Sequence, residues 1–157
     1  MNNSELQKII SDTQSDPYIK WNNISLADWC SVDREFSGYL FNKDGKHGYF
    51  SLLHNLSSNI EGIIVELGNR EGLGILSIYD ALHPKSEFYT LDIVDDVRFI
   101  KDEIKNDPRV HILNDFNSLD TGRIQNTFEK NSISMIFLDT IHTYEQVTQE
   151  FKLWEPY

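Results

Sequence analysis

From Glu61 to Tyr157, short β-type runs alternate with stretches of helical periodicity, and this alternation leaves few folds open to the chain. The β-type runs are Ile63–Leu67, Glu87–Asp92, Arg109–Leu113 and Ile133–Leu138, and the helical stretches are Gly72–Leu82, Asp95–Lys105, Thr121–Glu129 and Thr143–Trp154. Strands joined through helices pair in parallel. Ile63-Ile64-Val65 and Met135-Ile136-Phe137-Leu138 are apolar at consecutive positions, as strands covered on both faces must be, so both are expected to be central. Three helices show one apolar face each: Ile75, Ile78, Tyr79 and Leu82; Val97, Ile100 and Ile104; and Tyr144, Val147, Phe151 and Trp154. Thr143 with Gln146 has capping-box spacing at the start of the last helix. The pattern predicts an α/β fold, a Rossmann-like doubly wound parallel sheet over residues 60–157.

Residues 1–59 have a different texture, rich in Asn, Ser and Asp, with short helical patterns at 4–12, 25–34 and 46–57. Ser25 with Asp28 resembles a helix start. This part reads as a helical N-terminal cap. Trp21, Tyr39, Phe41 and Tyr49 are candidate lid or substrate contacts, although aromatic side chains also serve as core.

The 157 residues contain no repeat and no biased linker. With 25 acidic against 14 basic side chains the net charge is −11, which repels a phosphate backbone and argues against nucleic acid as a partner. The apolar runs fall far short of the ~20 residues a membrane span needs, and the first residues show no basic region followed by an apolar stretch. Cys30 is the single cysteine, so no internal disulfide forms, which fits a cytoplasmic protein.

In doubly wound sheets, ligands sit outside the carboxyl ends of the strands where the winding reverses, so those ends hold the candidate site. The first strand runs through Glu66 and Leu67 into Gly68, Gly72 and Gly74. These glycines let the chain turn sharply and bring backbone close to a ligand at a helix N-terminus. Their order differs from G-x-G-x-x-G and lacks the Gly-Lys-Ser/Thr of a P-loop, which counts against NAD and ATP. Tight helix–strand packing would require such glycines too. Glu66, in an apolar run, needs a partner: a local Arg or backbone N–H, or a ligand ammonium or water network. Asp92 ends the second strand, where a carboxylate can accept both hydroxyls of a ribose; the other role for it is a helix cap, for which Asp95 and Asp96 are better placed. Asn114, Asp115 and Phe116 offer acceptors beside an aromatic ring for an adenine. Asp139 ends the fourth strand, where it can orient a substrate or ligate a divalent cation such as Mg; His142 is either a general base or a partner that orients Asp139.

The ordered set Val65-Glu66-Leu67-Gly68, Asp92, Asn114-Asp115 and Ile136-Phe137-Leu138-Asp139-Thr140-Ile141-His142-Thr143-Tyr144-Glu145 resembles the class I S-adenosylmethionine-dependent methyltransferases. It is most similar to the small-molecule O-methyltransferase branch that includes macrolide O-methyltransferases and cephalosporin hydroxylase-type proteins. That branch carries Asp-Gly-Asp-His-x-Tyr where this chain has Asp139-Thr140-Ile141-His142-Thr143-Tyr144. The resemblance covers residues 60–157. It implies S-adenosylmethionine as cofactor, with Glu66 and Gly68 at its methionine end, Asp92 at its ribose, and Asp115 with Phe116 at its adenine; Gly72 of the glycine turn joins these as a candidate cofactor-binding residue. It also implies Asp139, as a cation ligand, and His142 beside a small-molecule methyl acceptor.

Family members continue past a stretch like Trp154-Glu155-Pro156 into a Gly-Gly turn and three further strands, whereas this chain ends at Tyr157. The expectation is therefore a truncated half-sheet of about four strands. Its fourth strand is then an edge, through which a homo-oligomer could pair. Two activities follow as alternatives: methyl transfer to an oxygen nucleophile, or a catalytically inactive remnant that binds cofactor or a partner. A nicotinamide-dependent oxidoreductase is a third, disfavoured by the glycine order.

Overall fold

A computed structural model describes residues 2–15, 49–70, 72–95, 100 and 102–157. The chain divides into two compact units: one takes in the described residues up to Ile60 together with Leu76–His83, the other Glu61–Ile75 together with Pro84–Tyr157. The helical pattern at 25–34, with Trp21, Tyr39 and Phe41, lies outside the described residues.

The first unit contains α1 (Asn3–Ser15) and α2 (Tyr49–Asn59). Asn2 Oδ1 accepts the N–H groups of Ser4 and Glu5, and Glu5 reaches back to the Asn2 N–H, so the free donors of the first turn of α1 are satisfied reciprocally. His54 on α2 and Asp80 form a buried pair at 2.9 Å.

The second unit is built on a sheet of β1 (Gly62–Leu67), β2 (Ser86–Leu91), β3 (Val110–Leu113) and β4 (Ile133–Leu138). Its order is β3-β2-β1-β4, with every pair parallel, as in the first half of a Rossmann-like sheet. Of the two strands expected to be central, β1 is central and β4 is the edge, half-buried along most of its length. A register irregularity beside Ser134 shifts the pairing from Ile63–Ile133 to Ile64–Met135, so Ile133, Ile136 and Leu138 all join the same core.

That core joins Val65 and Leu67 of β1 and Leu91 of β2 to Phe116, Ile124, Phe128 and Trp154. Ile124 comes from α5 (Thr121–Thr127) and Trp154 from α6 (Tyr144–Trp154). The Phe128 and Trp154 rings meet edge to face at 5.5 Å. Helix α5 stops short of the expected Glu129 because Phe128 turns to extended backbone and buries its ring in this core.

Helix α3 (Leu73–Asp80) follows β1, and Ile75 and Ile78 on it are fully buried. Of the helix expected over Asp95–Lys105, the described helical part is α4 (Asp102–Lys105). The Asp95 carboxylate accepts from Asn114 Nδ2 at 2.7 Å, at the end of β3, and residues 96–99 and 101 lie outside the described residues.

Helix α6 departs from its expected orientation. Tyr144, Val147 and Phe151 were to face the sheet, yet they are 90%, 36% and 60% exposed, while Glu150 and Trp154 are buried. Only half of the expected capping box of α6 forms: Thr143 accepts the Gln146 N–H at 3.2 Å, while the Gln146 side chain donates to Glu150 and the Thr143 N–H to the Ile141 carbonyl.

Candidate functional site

The winding reverses between β1 and β4, since the chain adds β2 and β3 on one side of β1 and then crosses to the other. Backbone bonds tie the strand tips together there. Gly68 N–H donates to the Leu91 carbonyl at 2.7 Å, Asp139 N–H to Leu67 at 2.8 Å, and Phe116 N–H to Asp92 at 2.8 Å. The close approach requires Gly68: its φ is +90°, and a Cβ there would sit 2.8 Å from the Asp139 carbonyl carbon. Gly72, at φ +96°, completes the turn by donating to the Asn69 carbonyl.

A cleft of about 640 Å³ opens above these tips. That is a volume suited to a small ligand. Gly68, Asp92, Phe116, Asp139 and His142 all line it, so five sequence-predicted residues share one crevice. Glu66, Gly72 and Asp115 are not among its lining residues. Glu66 is buried below the turn, Gly72 is buried with its Cα against Ile100, and Asp115, at φ +56°, is exposed.

Asp92 holds the glycine turn: its Oδ2 accepts the Arg70 N–H at 2.8 Å and its Oδ1 the Val94 N–H at 3.0 Å. An ionised carboxylate can accept about four hydrogen bonds, so capacity for a ligand hydroxyl remains. The Arg123 guanidinium lies over the Phe116 ring, 4.5 Å from its centroid, and also donates to the Asp115 carbonyl. Asp139 Oδ1 lies 3.0 Å from His142 Nε2, the aspartate half-buried and the imidazole exposed.

Glu66 is the most perturbed group. Its Oε2 accepts from Thr90 Oγ1 at 2.6 Å, across the β1–β2 register, and its Oε1 has no partner. The sequence suggested an arginine, a backbone N–H or a ligand; the protein partner is a threonine hydroxyl. Burial pushes its carboxyl up to about 8; the Thr90 bond opposes this, and repulsion from Asp139 and Asp92 adds to it. Burial therefore favours the protonated form of Glu66. A Cβ at Gly74 would collide with Glu66 Oε1, so this glycine is what lets α3 start over the buried carboxyl. Asn69 also buries an amide with neither atom partnered.

The sequence reading missed Ser118, Thr140, Gln146 and Glu150. The first three line the cleft, and all three donate to the carboxylate of Glu150. The one available signal was Glu150, four residues before Trp154 on the face of that helix that Trp154 occupies. Among the described residues no group of three His, Cys, Asp or Glu side chains converges as a metal site. Asp139 alone does not supply the six or more oxygens a hard cation takes. A divalent cation here would have Asp139 as a carboxylate ligand and take its other oxygens from water or the acceptor.

Residues 65–157 match the sequence profile of a methyltransferase-domain family. No curated protein matches the chain. Among solved structures, an S-adenosylhomocysteine-bound methyltransferase from Podospora anserina aligns over 98% of this chain and 64% of its own, with a TM-score of 0.62 at 13% identity. A caffeoyl-CoA O-methyltransferase-like protein from Staphylococcus aureus aligns over 98% and 68%, with a TM-score of 0.58 at 16% identity. An O-methyltransferase from Bacillus cereus in complex with S-adenosylhomocysteine aligns over 98% and 62%, with a TM-score of 0.53 at 14% identity. These likenesses establish the fold, and the chain spans less than two thirds of the length of the first of them.

Proposed function

This chain belongs to the methyltransferase-domain family, and on that premise we propose that it binds S-adenosylmethionine in the cleft at the ends of β1 and β4 and transfers its methyl group to an oxygen of a small molecule. The observation that carries this reading is the convergence of Gly68, Asp92, Phe116 and Asp139 on one crevice at the point where the winding reverses.

The chain's own residues fit the cofactor. Asp92 would accept the ribose hydroxyls with the lone pairs left by Arg70 and Val94. Phe116, fixed on one side by Arg123, and the nearby Asp115 would flank the adenine. Gly68 and Gly72 would let the backbone approach the methionine end, where Glu66 Oε1 and the Asn69 amide are buried polar atoms awaiting partners. Protonated Glu66 would act there as a hydrogen-bonding group rather than a counter-charge. When bound, S-adenosylmethionine supplies a methyl group already activated on a sulfonium, open to in-line displacement by the acceptor oxygen. The residues' contribution is then mostly alignment. Asp139 would orient the acceptor, and His142, held at 3.0 Å, would take its proton.

A net charge of −11 suits a cationic ligand and disfavours nucleic acid. No described helix is long and apolar enough to cross a membrane. We place the protein in the cytoplasm, with residues 1–59 as a helical N-terminal cap and β4, the edge of the described sheet, as the surface for any homo-oligomer.

Calorimetry with S-adenosylhomocysteine tests the reading. The wild-type chain is expected to bind, and Asp92→Ala to weaken binding by roughly ten- to a hundredfold, the value of a charge-assisted bond. No heat from folded wild-type protein would overturn it.

A further inference from the structure

Two walls of the cleft come from different parts of the chain: the segment after β3, with Phe116 and Ser118, and the tip of β4, with Asp139 and Thr140. Backbone bonds at the strand tips hold Phe116 and Asp139, whereas Ser118 and Thr140 lie beyond them, outside the strands. One side chain touches both. Glu150, fully buried on α6, accepts from Ser118 Oγ at 2.6 Å and Gln146 Nε2 at 2.8 Å on Oε1, and from Thr140 Oγ1 at 2.7 Å on Oε2. One turn further on, Trp154 donates its indole N–H to the Ser118 carbonyl at 2.8 Å, so Ser118 is held from two points of the same helix.

We propose that Glu150 is the positioning residue of this site: its carboxylate clamps the Ser118 wall to the Thr140 wall and so sets the width of the cleft between the adenine side and the acceptor side. The proposal rests on the methyltransferase reading above. The cost of the arrangement argues for it. A carboxylate taken out of water is costly to bury, and a polar cluster of this kind replaced as a whole by well-packed apolar side chains is often neutral or stabilising for a fold. Stability alone therefore does not call for a glutamate here. A clamp does, because three donors on three segments need an acceptor with two oxygens and several lone pairs. The sequence neighbours agree, since Thr140 adjoins Asp139 and Ser118 follows Phe116 by two residues.

The experiment measures S-adenosylhomocysteine affinity by calorimetry together with melting temperature. Glu150→Met, which fills the space without accepting a bond and leaves three donors unpaired, is expected to lower the melting temperature and, in folded protein, to lose affinity by about tenfold, while Glu150→Gln keeps affinity within about threefold. Should Glu150→Met fail to fold, Ser118→Ala, Thr140→Val and their double variant decide the matter. The two side chains sit on opposite walls and share Glu150, so their effects on affinity should be clearly non-additive. Additive effects, or a folded Glu150→Met with wild-type affinity, would overturn the clamp and leave the methyltransferase reading standing. Wild-type protein that binds no S-adenosylhomocysteine overturns both.

Discussion

Gly68→Ala should destabilise the protein by roughly 3–5 kcal/mol, the sum of a left-handed backbone imposed on alanine and a steric conflict that the surroundings cannot relieve. At φ +90° the alanine Cβ would meet the carbonyl oxygen and carbon of Asp139, which are backbone atoms fixed by the Asp139 N–H bond to Leu67. To make room, β1 and β4 must separate at their tips, which opens the cleft as well as weakening the sheet. Urea denaturation checks this. A midpoint close to wild type would mean that the two tips do not approach as described. S-adenosylhomocysteine affinity should fall along with stability.

Glu66→Gln should abolish a pH dependence of stability amounting to roughly 3–5 kcal/mol, the equivalent of a carboxyl raised from 4.5 to about 8 by burial. Between those two values the unfolded chain carries an ionised Glu66 and the folded chain a protonated one. Folding then takes up a proton, and the wild-type protein becomes less stable as pH rises through that window. Below 4.5 both states are protonated and the effect is absent; above about 8 both are ionised and the loss is complete. The difference in unfolding free energy between the variant and the wild type isolates Glu66 from other titrating groups. It should grow in favour of the variant with rising pH across the window. Identical slopes for the two proteins would show that Glu66 ionises alike in both states.

The sequence reached the sheet because its signals are local. Consecutive apolar residues at Ile63-Ile64-Val65 and helical spacing at Ile75 and Ile78 report burial without knowledge of neighbours, and Ile64, Val65, Ile75 and Ile78 are buried in the structure, with Ile63 half-buried. The strand-end rule then selected Gly68, Asp92, Phe116, Asp139 and His142 from position alone, and the fold brings these five to one cleft. What failed to show were contacts between residues far apart in sequence. The face of α6 was misread because Tyr144, Val147 and Phe151 are apolar at helical spacing, whereas the helix is fixed by Trp154 in the core and by Glu150, whose donors lie up to 32 residues away. Periodicity cannot reveal that a glutamate is satisfied by two hydroxyls and an amide. Glu66 illustrates the same limit. Its position in an apolar run called for a partner, but only the strand register brings Thr90 opposite it, and only the helix start places Gly74 over it.

The central claim is that the strand tips of β1, β2 and β4 enclose an adenosyl ligand, and mapping of backbone amide shifts on titration with S-adenosylhomocysteine tests it most directly. The largest shifts are expected at Gly68, Arg70, Asp92, Ser118 and Asp139, which line one cleft. Shifts confined to Lys130, Lys152 and Tyr157, which line a separate cleft beside α5 and α6, would contradict the account.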